Sequence, residues 1–124
     1  MDGREPADAA MASLEALCHA AHTSITEAQG IIERAAELKA QREAGRSYTD
    51  IVRDEERPLI VERLTRITTR LADSGSQWRR DEARALHAEG LSMEAIAEMF
   101  GVTRQRVSAL LKGPVPEQAP AVDA

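Results

Sequence analysis

Thr103, Arg104, Gln105 and Arg106 stand in an unbroken run, and their side chains match the hydrogen-bonding edges of double-stranded DNA. An arginine donates two parallel bonds to guanine or binds a phosphate, glutamine pairs two-pronged with adenine, and a threonine hydroxyl serves a phosphate or a helix start. Ser108 and Lys112 follow within two turns, and Ser92 precedes the run by eleven positions. Arg79, Arg80 and Arg84 form a second basic group upstream, at the distance where a supporting helix touches the sugar-phosphate backbone. These ten residues are the candidate DNA-contacting set.

Such side chains read DNA only when a rigid element carries them, and the segment Gly90–Leu111 (GLSMEAIAEMFGVTRQRVSALL) has the pattern of two short crossed helices. The first helix needs a small residue where the second passes and a residue tolerant of positive φ at the turn; Ala97 and Gly101 supply them. Ile96, Phe100, Val102, Val107 and Leu110 fall at the inward positions of a 3.6-residue period. Ser92 and Thr103 are placed to cap the two helices, without the glutamate that would complete a capping box after Ser92. Arg79–Glu89 reads as a supporting helix ended by Gly90, with Ala83, Leu86 and His87 turned to the core. A trihelical helix-turn-helix over residues 76–113 is expected.

The stretch GVTRQRV resembles the promoter-reading domain of bacterial housekeeping sigma factors. That likeness implies that Thr103, Arg104, Gln105 and Arg106 occupy the entry of a recognition helix in the major groove. It covers only the C-terminal third of the chain. Ser108 and Ala109 stand where sigma domains usually carry longer polar base readers, which implies a different target sequence. The polymerase-binding and promoter-melting regions have no counterpart in these residues. The chain therefore resembles a small helix-turn-helix regulator of the kind common in high-GC, actinobacterial-type bacteria, and not a sigma factor.

Composition sets the scale. The 124 residues are 43% hydrophobic but include one Trp, one Tyr and one Phe, enough for one modest helical domain and a smaller one with aliphatic cores. A single Cys excludes an intramolecular disulfide, and neither a membrane-length apolar run nor a leader pattern is present, so a cytoplasmic, nucleoid-associated location is expected. The formal charge of −5 is unevenly spread: residues 1–75 carry net −4, residues 76–113 net +1, and the last eleven residues −2. Non-specific attraction to DNA scales with the phosphates neutralised. One such reader should bind weakly, and a homodimer is expected.

The N-terminal half offers the means of pairing. From Met11, the residues Leu14, Cys18, Ala21, Ile25, Ala28, Ile32 and Ala35 alternate three and four apart, the seam along which helices pack. Ser24 with Glu27 forms a possible capping box and Gly30 weakens a helix, so a strong helix over residues 24–44 is expected after a weaker one from about Ala7. Gly45 ends it, and Ser47 with Asp50 can start a short helix containing Tyr48, Ile51 and Val52. A longer helix is expected from about Glu55, with Pro58 in its first turn and Ile60, Leu64, Ile67 and Leu71 as its stripe. The expectation is all-α: a coiled-coil-like helical hairpin over residues 7–75 that dimerises, followed by the helix-turn-helix. Met11, Leu14, Ile25, Ile32, Ile60, Leu64, Ile67 and Leu71 form the dimerisation set. Residues 1–6 and 114–124 read as disordered tails.

Other chemistries find less support. Asp54, Glu55, Glu56 and Arg57 suit the start of a helix better than a metal cluster. Cys18, His19 and His22 (CHAAH) lie near one helical face but supply too few ligands without His87 or a second chain. Trp78 follows the Ser74, Gly75, Ser76 break, where burying its ring would lock two domains together. No nucleophile-base set, phosphate loop or carboxylate pair can be assembled, so neither a cofactor nor an enzymatic activity is expected. The competing function is that of a helical interaction protein binding a sigma factor, RNA polymerase or an antitoxin-type partner, with the C-terminal unit as adaptor.

Overall fold

The computed structural model describes residues 4–113, and these are all-helical apart from turns. In chain order they form α1 (Arg4–Glu43), α2 (Tyr48–Arg53), α3 (Ile60–Ala88), α4 (Met93–Phe100) and α5 (Arg104–Lys112). None of these helices is long and apolar enough to cross a membrane. The described residues divide into two compact units, one of Leu17–Ser74 and the other of the N-terminal part of α1, to Ala16, with residues 75–113.

Two helices are longer than the sequence pattern suggests. α1 is a single helix of 40 residues, so Ser24 and Glu27 do not cap a second helix, and residues 4–6 are already helical. α3 likewise runs without interruption through Ser74, Gly75 and Ser76. A glycine inside a helix costs about 1 kcal/mol, less than re-nucleating a helix that is already propagating from both sides. Residues 1–3 and 114–124, expected as tails, lie outside the described residues.

In the Leu17–Ser74 unit, α1 and α3 run antiparallel, as their ion pairs record. Glu27 meets Arg70 at 2.8 Å and Arg66 at 3.9 Å, while Arg34 reaches Glu55 at 3.7 Å near the bend. The buried Ser24 accepts a hydrogen bond from Arg70 (3.1 Å). The Arg63 guanidinium lies over Gly30, where a Cβ would require this flexible side chain to shift. At the bend, Ser47 caps α2 by accepting the Asp50 N–H at 3.1 Å, Ile51 is buried, and Arg46 pairs with Asp54. α3 starts at Ile60 and not near Glu55. The residue before a proline is driven out of the helical region, so a helix begun at Glu55 cannot run on through Arg57. Glu55 and Glu62 instead accept the N–H groups of Ile60 and Leu59, each at 2.8 Å.

The seam between these two helices is not the one that apolar periodicity suggests. The inward residues of α1 include the buried Ala20 and Ser24 and the partly buried Glu27, Ile31 and Arg34. Ile25 is 58% exposed and Ile32 68%, and on α3 Val61 is 64% and Leu64 52% exposed. Met11 is exposed as well, while Leu14, Ile60, Ile67 and Leu71 are half-buried.

In the other unit, Ala83, Ile96, Ala97, Val107 and Leu110 form the buried core, with Leu86, Leu91, Met93, Phe100 and Leu111 packed against it. Two expected core members stay outside. His87 is exposed and its Nδ1 lies 3.1 Å from the Leu91 carbonyl oxygen, and Val102 is exposed in the turn. Trp78 is half-buried, and its Nε1 is buried without a hydrogen-bond partner among the described residues.

Candidate nucleic-acid interface

Local chemistry builds the α4–α5 motif. Ser92, in extended conformation, accepts the Ala95 N–H through Oγ at 3.1 Å, and Thr103 does the same for Arg106 at 3.0 Å. Each satisfies one of the donors that a helix start leaves unpaired. Between the helices, Gly101 adopts φ 70° and ψ 35°, the left-handed conformation that glycine enters at least cost. The Val102 N–H returns to the Ala97 carbonyl at 3.0 Å and closes α4. Ile96 and Val107 are fully buried between the helices, so their register fixes which face of α5 remains outside.

That outer face carries Arg104, Gln105 and Arg106, all exposed in the first turn of α5, and Lys112, exposed in the last. Ser108 is half-buried. Three cationic or amide side chains thus emerge at the amino end of a helix whose dipole is positive there, an arrangement suited to phosphate oxygens and to acceptor edges of bases. Arg104 is already engaged: its Nε lies 2.8 Å from Glu94 Oε2 of α4, both groups being well exposed. Arg106 and Gln105 have no side-chain partner among the described residues.

The upstream arginines are held differently. Arg79 pairs with Glu82 at 3.3 Å and stacks its guanidinium over the Phe100 ring at 4.0 Å, a cation–π contact that ties α3 to the end of α4. Arg80 donates to Gln77 at 2.9 Å, and Arg84 pairs with Asp81 at 3.3 Å. Arg84 also lies where a Cβ on Gly113 would sit, so a glycine at the end of α5 leaves room for its guanidinium. All three are half-buried and serve packing, whereas the first turn of α5 does not. Ser92 and Thr103 spend their hydroxyls as caps.

Sequence reasoning missed Glu94, whose position opposite Arg104 becomes visible only once the crossing of α4 and α5 is known. It lies ten residues from Arg104, beyond any single-helix spacing rule. The other candidate chemistry stays dispersed. Cys18, His19 and His22 are exposed, and no group of three or more His, Cys, Asp or Glu among the described residues could hold a metal ion. No family model, curated protein or solved structure matches this chain, so its functional reading rests on its own residues.

Proposed function

We propose that this chain is a sequence-specific, double-stranded-DNA-binding transcriptional regulator that acts as a homodimer, with α4 and α5 as a helix-turn-helix and α5 as the helix that enters the major groove. The observation that carries this reading is the division of α5. Val107 and Leu110 are buried against α4, while Arg104, Gln105 and Arg106 project from the capped amino end of the same helix. Arg106 and Gln105 read guanine and adenine edges or phosphates, and Lys112 adds a backbone contact. Arg104 exchanges Glu94 for DNA, so part of its binding energy is offset by the ion pair it gives up. Arg79, Arg80 and Arg84 stabilise the supporting helix first and reach phosphates only by releasing Glu82, Gln77 and Asp81.

A single reader with net charge near +1 neutralises few phosphates. Two copies joined rigidly add their contacts while the association entropy is lost once. Two-fold symmetry then implies an inverted-repeat operator with half-site centres about one helical turn, ~10 bp, or a multiple apart.

Selection of binding sites from a random duplex library with the full-length chain should enrich such a motif. Arg104→Ala, Gln105→Ala and Arg106→Ala, titrated on it at several salt concentrations, separate the roles. Loss of a base contact costs about 1–3 kcal/mol and relaxes preference at one position, whereas loss of a phosphate contact weakens all sequences alike and flattens the salt slope. Unchanged affinity in all three folded variants would overturn the reading. The competing reading, a helical module for a protein partner of the transcription machinery, is favoured by the exposed Met11 and Met99 beside a cleft of about 440 Å³ in the same unit. It predicts that no motif is enriched.

A further inference from the structure

We infer that one flank of the antiparallel α1/α3 pair in the Leu17–Ser74 unit is the surface on which a second copy of this chain docks. The inference deepens the proposed function by naming the pairing surface, but it stands on the hairpin's own residues. The inward positions of α1 are 20, 24, 27, 31 and 34, and those of α3 are 60, 63, 67 and 70. One residue onward is a rotation of about 100°. On α1 that step reaches Ala21, Ile25, Ala28, Ile32 and Ala35, and on α3 it reaches Val61, Leu64, Thr68 and Leu71. Because both helices are right-handed and run in opposite directions, the same step turns both sets to the same side of the pair. One residue back lies the other flank, with Glu33 on α1 and Glu62, Arg66 and Asp73 on α3.

The two flanks therefore differ in kind. One mixes threonines with charged residues, of which Arg66 reaches Glu27 of the seam and Glu62 pairs with Arg57 ahead of α3. The other carries no charge over these nine positions, yet Ile25, Ile32, Val61 and Leu64 are each more than half exposed. A contiguous apolar patch on two neighbouring helices marks an interaction surface.

Self-association is the occupancy this flank fits. A charge-free face meets its own copy across a two-fold axis without like-charge repulsion, and it offers no charges by which a foreign partner would be selected. Ala21, Ala28 and Ala35 alternate with Ile25 and Ile32, which leaves hollows for the ridges of the other copy. Fifteen residues of α1 run about 22 Å, and two packed helices present a face about 20 Å wide, so each copy contributes about 450 Å². The total of about 900 Å² stands near the ~1,000 Å² floor of specific interfaces. Exposed Tyr48 and Val52, around a cleft of about 440 Å³ at the bend that Ala35 and Ile60 also line, extend the apolar face toward that floor, while Lys39, Arg42 and Glu55 of the same cleft add charge at that end.

The test is sedimentation equilibrium of the full-length chain without DNA. The wild type should be dimeric at micromolar concentration. Ile32→Asp and Leu64→Asp should each weaken association at least about a hundredfold, because the carboxylate is buried without a partner only in the dimer. Their helicity should be unchanged, since both side chains are exposed in the protomer. Thr26→Asp, on the charged flank, should leave the dimer intact, and Val61→Lys replaces any variant that fails to fold. A wild type still monomeric at tenths of a millimolar, folded flank variants that remain dimeric, or dissociation by Thr26→Asp alone would overturn the proposal. A monomer that captures a different protein through this flank also refutes it. A dimer that enriches no DNA motif leaves the pairing standing and removes the DNA reading; a monomer that enriches one does the reverse.

Discussion

The α4–α5 motif and the α1/α3 pair solve opposite problems with the same kind of residue. In the motif, large aliphatic side chains are inside: Ile96 and Val107 are fully buried and the charged residues face out. Within the Leu17–Ser74 unit the order is inverted. Ala20, Ser24, Glu27, Arg34 and Arg70 line the seam, while Ile25, Ile32, Val61 and Leu64 stay at the surface. Apart from Met99 and Val102, the motif packs its large apolar residues inside a single chain. The helix pair spends small and charge-paired residues on its internal seam and leaves Ile25, Ile32, Val61 and Leu64 exposed, the surface that the proposed pairing would bury.

The largest test of this contrast sets one isoleucine against another. Ile96→Ala removes the larger of the two fully buried side chains of the motif and should cost about 2–5 kcal/mol, the range for large-to-small core substitutions. Ile32→Ala, measured in solution dilute enough to keep the chain monomeric, should change stability by no more than about 0.5 kcal/mol, as exposed positions do. Urea unfolding followed by circular dichroism measures both. Similar losses would erase the distinction between the two regions.

That distinction explains what could be read from the residues and what could not. Ser92, Thr103 and Gly101 act on their nearest neighbours, so capping and turn chemistry is legible in the sequence, and Ile96, Val107 and Leu110 fall on the face that the sequence assigns them. Val102 does not, because a turn residue has no helical period to place it. The seam of α1 is the deeper case. The positions 11, 14, 18, 21, 25, 28 and 32 and the positions 10, 13, 17, 20, 24, 27 and 31 are interleaved seams one residue apart. Apolarity selects the first, and the folded chain uses the second. Nothing in a hydrophobic pattern shows that Ser24 and Glu27 will find Arg70 some 46 residues away in sequence. Ser24 and the Ser74, Gly75, Ser76 run read as breaks for a related reason: local propensity knows nothing of the long helices on either side.

A second, smaller test therefore addresses the polar seam. Arg70 donates to the buried Ser24 and pairs with Glu27, whose side chain is 22% exposed. Arg70→Ala leaves both groups without that partner and should cost about 1–3 kcal/mol, the penalty for a polar group stranded in the interior. Arg70→Met retains most of the stem packing that an arginine provides, so the difference between the two variants separates packing from charge. Added salt should narrow the gap between wild type and Arg70→Met only slightly, because a pair 27% and 22% exposed is partly shielded from screening. It should leave the Ile96→Ala loss unchanged. If salt acts on both alike, the seam is not electrostatic and the contrast weakens.

The smallest effect is expected where the α1/α3 pair meets water, at the start of α3. Glu62 accepts the Leu59 N–H, and this bond holds its carboxyl below the usual carboxylate range. Partial desolvation opposes the shift, and the Arg57 and Arg66 charges add to it. A carboxylate whose folded pKa lies below its unfolded value stabilises the fold fully above the unfolded value. That contribution is lost as pH falls through the lowered folded value. Wild type should accordingly lose a small increment of stability in acid that Glu62→Gln lacks, with the two curves converging below the ordinary glutamate pKa of 4.5. Amide exchange at Leu59 should be faster in Glu62→Gln at neutral pH, while amides of the α4–α5 motif keep their protection. An acid profile identical in both proteins would mean that the carboxylate caps nothing, and that the start of α3 is held by Glu55 at the Ile60 N–H.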